Sequence, residues 1–399
     1  MKLKLHLLSS RCWFQAHSHT RTLRVLKKLK SSYEIFSTRG KMSRILEIDG
    51  SVLEGGGQIL RISVSLSAIL GVPIRVTNIR AGRPKPGLAA QHLKGIQLVG
   101  EMCQARMNGA HIGSTEIEFI PGKLKGGRYF ADTKTAGSIS LLLQVALPCA
   151  LMAPEPVTLE LKGGTNAAMA PQIDYMDKIF RPALRKFGAD FSVEIIKRGY
   201  YPRGGGHVRI NISPVKQLQP VNLMERGTVD SITAWSFVSG SVNIAVAQRM
   251  AAAARRALAG AAAVEGNCFR EDRHVARDDG FAILLMAYTS TGCVLGTDGL
   301  GARNVDPDEL GCKAAEELKE VLDAGACVDS HAQDQLVVYM CLAAGASAAR
   351  LGAVTLHTRT AVHVAQLLAN VQFDIIADGE QNILKCNGIG IVNHEACVE

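Results

Sequence analysis

The sequence predicts an α/β fold in which three repeated α/β units build one large domain and a smaller α/β domain is inserted. Three observations carry this reading. Aromatic residues make up only 5% of the chain while 39 glycines punctuate it, a composition suited to closely packed α/β units with tight turns. Hydrophobic residues reach 47% over 399 positions, ample for a globular core. Three segments also share one plan: a Gly- or Asp-containing turn, a Gln, an apolar helix, a short loop and a strand.

Residues 1–42 hold ten basic side chains against Glu34 alone, which accounts for the whole formal charge of +9, and the rest of the chain carries 35 of each sign. The body is therefore neutral, and any RNA binding by it must come from a local patch. Basic, Ser-containing and nearly acid-free, these residues read either as a mitochondrial transit peptide or as an extension upstream of a start at Met42. Within them, "LRVLKKLKSSYEIF" suits a basic amphipathic helix.

The expected boundaries are 1–42 for this extension, 43–221 with 321–399 for the large repeated domain, and 222–320 for the insert. "MSRILEIDG" opens the first strand. The repeated segments are 54–82 ("EGGGQILRISVSLSAILGVPIRVTNIRAG"), 135–164 and 331–358. Gln58 lies 22 residues before Arg80, Gln335 lies 22 before His357, and Gln144 lies 18 before Lys162. On this register Arg80, Lys162 and His357 end equivalent strands and converge on one anionic ligand. Each unit continues into a further helix and strand, as in "APQIDYMDKIFRPALRKFG" with apolar residues at helical spacing. In the insert, "TVDSITAWSFV" reads as a strand, "NIAVAQRMAAAARRALAGAAA" as a helix, and "GFAILLMAYTSTGCVLG" as a strand or hairpin. The insert closes with a helix capped by Asp306 or Asp308. "EGNCFREDRHVARDDG" reads as an exposed loop.

Ten cysteines are scattered without a CxxC or Cys/His metal spacing, the usage of a reducing compartment. The longest apolar run, "ISLLLQVALPCALMAP", is interrupted and falls short of the ~20 residues that span a bilayer. A soluble body with no membrane partner is expected.

Several glycine-rich turns offer backbone N–H groups to phosphate, yet none is a P-loop or a dinucleotide fingerprint. Arg61, Arg83 and Gln91 suit phosphate or a solvated surface equally, with "RPKPG" a rigid basic loop. Glu54 either caps a helix or holds Mg²⁺ beside a phosphate, and Asp334 and Gln335 share that ambiguity at another helix start. His357 follows Val354 and Leu356 on a strand and faces the side opposite to them. Thr358 or Thr360 would cap the next helix, and the imidazole would stand beside fresh N–H donors. From spacing alone it is packing, a metal ligand or a nucleophile at phosphorus. His363 reads as structural.

"EGGGQILR" (54–61), "IRAGRPKPGLAAQH" (79–92), "DTKTAGSISLLLQ" (132–144), "LKGGTNAAMAPQIDY" (161–175), "RGYYPRGGGHV" (198–208) and "VTLHT" (354–358) resemble the RNA 3′-terminal phosphate cyclases, in order from about residue 45 to 393. The resemblance implies ATP-dependent conversion of an RNA 3′-phosphate to a 2′,3′-cyclic phosphate with Mg²⁺ or Mn²⁺. A histidine takes AMP from ATP, AMP passes to the RNA 3′-phosphate, and the 2′-OH expels it. By the same resemblance His357 is the nucleophile, and Gln144, Pro171, Asp334 and Gln335 contact the nucleotide. Glu54 is the metal position, and Arg61, Arg83 and Gln91 face phosphate or RNA. His331 stands where the family has an adenine-stacking Tyr, a departure that bears on ATP affinity. A homodimer and a location in the nucleus and cytoplasm are further expectations, with mitochondrial targeting the minority one.

Two other classes stay open. One is a non-catalytic, RNA-binding cyclase-like factor of ribosome assembly, a group that lacks the histidine present here. The other is an enolpyruvyl transferase, which the "RGYYPRGGGHV" and "TLHT" segments disfavour.

Overall fold

The computed structural model describes residues 45–397. The basic extension and the amphipathic helix expected in it lie outside the described residues. The first unit runs β1 (Leu46–Asp49), α1 (Gly57–Leu70), β2 (Ile74–Thr77), α2 (Ala90–Cys103), β3 (Arg106–Asn108) and β4 (Ile117–Ile120). The second runs β5 (Gly127–Asp132), α3 (Ile139–Leu151), β6 (Val157–Gly163), α4, β7 (Phe191–Lys197) and β8 (Gly206–Ile212). Helix α4 is continuous from Ile173–Tyr175 through a π-helical Met176–Phe180 to Arg181–Arg185. The third unit starts with β9 (Asn222–Leu223) and is then interrupted by β10 (Val229–Ser239), α5 (Ile244–Ala257), β11 (Val264–Arg270), β12 (Gly280–Thr289), β13 (Val294–Leu300) and α6 (Pro307–Asp323). It resumes with α7 (Gln333–Leu342), β14 (Ala346–Leu351), α8 (Leu356–Ala369), β15 (Phe373–Asp378) and β16 (Gln381–Asn387).

Three sheets have one topology, β1-β2-β4-β3, β5-β6-β8-β7 and β9-β14-β16-β15. In each, the first two strands are parallel, and the fourth lies antiparallel between the second and third. The repeat is thus a βαβαββ unit built three times. The insert, with its own sheet β11-β10-β12-β13, enters the third copy between its first strand and first helix. The pattern change expected at residue 222 falls slightly early. Leu223 pairs with Ala349 and belongs to the third sheet, while α6 continues to Asp323. A two-residue strand carries no periodicity, so its membership is decided by its partner.

Helices of the three units pack on one another, α1 against α2, α3 and α8, and α8 against α7. Helix α3 is buried around its circumference, with Leu142, Leu143, Val145, Ala146 and Leu147 all closed off, the pattern of a helix with no solvent face. Each such Leu contributes about 1.5–3 kcal/mol relative to an exposed one. A second core, including Ile232, Ile283, Leu285, Leu295 and Leu318, fills the insert.

Asp306 caps α6 as expected, its side chain accepting from the N–H groups of Asp308 and Glu309. The segment expected as an exposed loop is half strand. Residues up to Arg270 form β11, a polar strand at the sheet edge that only its parallel pairing with β10 reveals. Buried Arg198 joins the insert to the second unit, gripping Asp174 through two hydrogen bonds (2.7 and 2.9 Å) and Glu271 through a third (2.6 Å). No described helix is long and apolar enough to cross a membrane.

Candidate active site

Sequence spacing put His357 at the end of a strand, but the structure puts it on a helix. Strand β14 stops at Leu351, and Thr355 caps α8 by accepting from the N–H of Thr358 at 3.1 Å. His357 is the second residue of α8, exposed, and neither Thr358 nor Thr360 is the cap. The convergent trio also dissolves. Arg80 spends its guanidinium on the carbonyls of Lys85 and Gly87, and Lys162 lies within β6 over the ring of Phe130. The physical reason is register. Gln58 and Gln335 sit in the first turns of α1 and α7, whereas α3 is capped by Ser138 and carries Gln144 in its second turn.

What surrounds His357 instead is a polar relay. Asp334, in the first turn of α7, accepts a 2.6 Å hydrogen bond from Nε2 of Gln58. That contact turns the amide so that Gln58 Oε1 faces Nδ1 of His357 at 2.9 Å. An amide oxygen only accepts, so Nδ1 carries the proton and Nε2 keeps its lone pair. Burial pushes the Asp334 carboxyl above the ordinary range, while His357, Arg61 and His331 pull it back. Burial likewise lowers the pKa of Arg61, with Asp334 and Glu54 opposing.

The loop ahead of α8 is braced by Gln333, whose Oε1 accepts from Thr358 Oγ1 at 2.8 Å and from the Thr355 N–H at 3.4 Å. The Leu356 and His357 N–H groups precede the first intrahelical acceptor, so the imidazole stands at a positive helix end with donors to spare.

Gln58, Arg61, Gln144, Pro148, Asp334 and Gln335 enclose a cavity of about 30 Å³. Pro148, inside α3, has no N–H to give the Gln144 carbonyl one turn back. Arg61 also borders Gln91 and His92 on its other side. Burial, then Arg61 and Arg80, drive the His92 pKa down to about 3, and this ring stays neutral. Gln91 accepts from the N–H of Ser138 at 3.1 Å, which ties α2 to the start of α3.

Glu54 and Arg83 face each other as an ion pair, and the Glu54 N–H donates to Thr360 of α8 at 3.3 Å. Oε2 of Glu54 is buried without a hydrogen-bond partner. His331 lies edge-on to Tyr175, ring centroids 5.6 Å apart, and its carbonyl accepts from Gln335 at 2.7 Å. Asp329 holds this corner through Tyr175 Oη (2.5 Å) and the N–H groups of Gly296, His331 and Ala332 (each 3.0 Å). Pro171 precedes Gln172, whose N–H donates to Asp298 at 3.0 Å, and takes no part in the His357 relay. His363, expected to be structural, is exposed on α8.

The structure therefore brings Asp334, Gln335, Gln144 and Arg61 to one cavity and links Asp334 to His357 through Gln58. Glu54, Arg83 and Gln91 stand at their edge, His331 packs against Tyr175, and Pro171 is not brought to either. Sequence reasoning missed the roles of Gln58 and Gln333, although the Gln-to-strand spacing had singled out Gln58. A cavity of about 850 Å³ beside Arg181, Asp190 and Lys216 contains none of these residues.

An exposed histidine with a fixed tautomer, set at a helix N-terminus on a triplicated α/β scaffold, is an arrangement suited to chemistry on phosphate groups. The family model for RNA 3′-terminal phosphate cyclase matches residues 52–375. A protein of Drosophila melanogaster named RNA 3′-terminal phosphate cyclase is 38% identical over 356 residues, covering 88% of this chain and 98% of its own. One from Pyrobaculum neutrophilum with the same name is 42% identical over 350 residues, covering 86% and 99%. One from Staphylothermus marinus is 40% identical over 356 residues, covering 87% and 99%. This chain belongs to the RNA 3′-terminal phosphate cyclase family.

Proposed function

We propose that this enzyme converts RNA 3′-phosphate ends to 2′,3′-cyclic phosphates at the expense of ATP, with AMP carried in turn by His357 and by the RNA. The observation that carries the reading is the Asp334–Gln58–His357 relay, which leaves Nε2 bare and exposed. Nε2 attacks the α-phosphorus of ATP, the N–P bond forms and pyrophosphate leaves. The imidazole becomes cationic, a charge that the Gln58 oxygen and the Asp334 carboxylate stabilise. An oxygen of the RNA 3′-phosphate then displaces Nε2 from phosphorus, and the lone pair returns to the ring. Finally the 2′-OH attacks the activated terminal phosphorus, gives its proton to water and expels AMP.

Arg61, Arg83 and Gln91 suit the negative charge of the reacting phosphates, and Arg is the side chain with a bidentate fork for them. Gln144, Asp334 and Gln335 line the cavity where nucleotide contacts are expected. Among the described residues no cluster of three His, Cys, Asp or Glu could hold a resident metal. The free Oε2 of Glu54 fits a divalent cation shared with the nucleotide phosphates, which would draw charge from them. A non-catalytic binding factor would have no use for an oriented, solvent-open imidazole.

The test is incubation with α-³²P-ATP and Mg²⁺ or Mn²⁺. Acid-labile, alkali-stable label on wild type, absent from His357→Ala, is expected. Label of equal intensity on His357→Ala would remove the nucleophile assignment.

A further inference from the structure

The segment 198–208 contains more than folding uses. Arg198 and Tyr200 are buried, and the glycines pack backbone against backbone. A Cβ at Gly204 would meet Thr135 O at 2.3 Å, and one at Gly163 would meet Gly137 O at 2.4 Å. One at Gly164 would meet Ala136 O at 2.6 Å, and one at Gly199 the nitrogen of Gly206 at 2.2 Å. The loops 133–137, 163–167 and 199–206 are therefore a single knot, with no room for a side chain at Gly163, Gly164, Gly199 or Gly204.

Around it, exposed aromatic rings stand among exposed cations. Tyr201 is 85% exposed. The Arg203 and Lys134 side chains are 81% and 82% exposed, their partners Asp278 and Asp132 lying at 3.5 and 2.9 Å. Such exposed pairs are weak and yield readily to a phosphate. Lys162 stands 5.4 Å from the ring of Phe130, itself 53% exposed on the same sheet. Lys134 also holds φ +56°, a conformation that persists only where its surroundings impose it. The knot adjoins the reacting centre, because Ser138 next to Gly137 donates to Gln91 at 3.1 Å and Gln91 shares a cavity with Arg61.

We propose that this knot is a docking platform for the single-stranded RNA leading to the 3′ end, with Tyr201 stacking on a base and Lys134, Lys162 and Arg203 meeting phosphates. Exposed aromatic faces interleaved with cations are how single strands are held without sequence preference. The proposal rests on the cyclase reading above.

The test compares wild type with the double variant Tyr201→Ala, Arg203→Ala on a 3′-phosphorylated dinucleotide and a 3′-phosphorylated 12-mer. The variant should show a KM for the 12-mer raised about tenfold, the size of a lost base stack. Its kcat, its KM for the dinucleotide and its self-labelling by ATP should be unchanged, and Tyr201→Phe should restore stacking. Unchanged KM for the 12-mer, or an equal rise for both substrates, overturns the platform. If wild type makes no cyclic product, the cyclase reading fails, and fluorescence anisotropy of the labelled 12-mer decides the platform alone. A tenfold weaker Kd in the variant then supports it, and an unchanged Kd removes it.

Discussion

Gln58 Oε1 and His357 Nδ1 meet at 2.9 Å across 299 positions of sequence. The hydrogen bond fixes which ring nitrogen is free, so its loss should slow the chemistry without touching nucleotide affinity. Gln58→Leu is expected to lower the rate of self-labelling by about a hundredfold. The KM for ATP should stay near the wild-type value in single-turnover assays over a range of ATP.

Asp334 orients Gln58, and burial makes its charge unfavourable to the fold. Asp334→Asn lets the Gln58 amide take either orientation and leaves the developing imidazolium without its counter-charge. Self-labelling should fall by about ten-thousandfold, the order seen when a triad carboxylate becomes an amide. The melting temperature should stay level or rise, because a desolvated charge is gone. Calorimetry beside the labelling assay reads both.

His92 gives the pH dependence its sign. Its folded pKa is about 3, lowered by burial and then by Arg61 and Arg80, against roughly 6.5 in an unfolded chain. Between those values the unfolded chain binds a proton that the native state refuses, so stability falls as pH drops through that window. Urea midpoints of wild type at pH 7, 5.5 and 4.5 should decline more steeply than those of His92→Gln. Gln keeps an acceptor for the Ala89 N–H that His92 now satisfies.

Arg198 is a fold residue inside the most conspicuous sequence motif. Arg198→Met strands the buried Asp174 carboxylate and should cost about 3–5 kcal/mol in urea unfolding. The double variant Asp174→Leu, Arg198→Met should recover part of that loss, since both charges leave together.

The helices and the threefold repeat were legible because they are local. Apolar spacing marks α1, α3 and α7 wherever they end up, and turn glycines mark their starts. Register was less legible. Gln144 looked equivalent to Gln58, yet the Ser138 cap sets α3 four residues earlier than that alignment requires. Edge strands such as β9 and β11 were invisible for the opposite reason, since their residues carry no pattern of their own.

By itself, then, the sequence determined the α/β class, the presence of an insert and the family. Tertiary structure decided what the site residues do for one another. It moved His357 from a strand end to a helix start and paired Glu54 with Arg83. It also joined Gln58 to Asp334 over 276 positions and to His357 over 299. Hydrogen bonds act over about 3 Å, and only the packing of α1, α7 and α8 brings such distant positions that close.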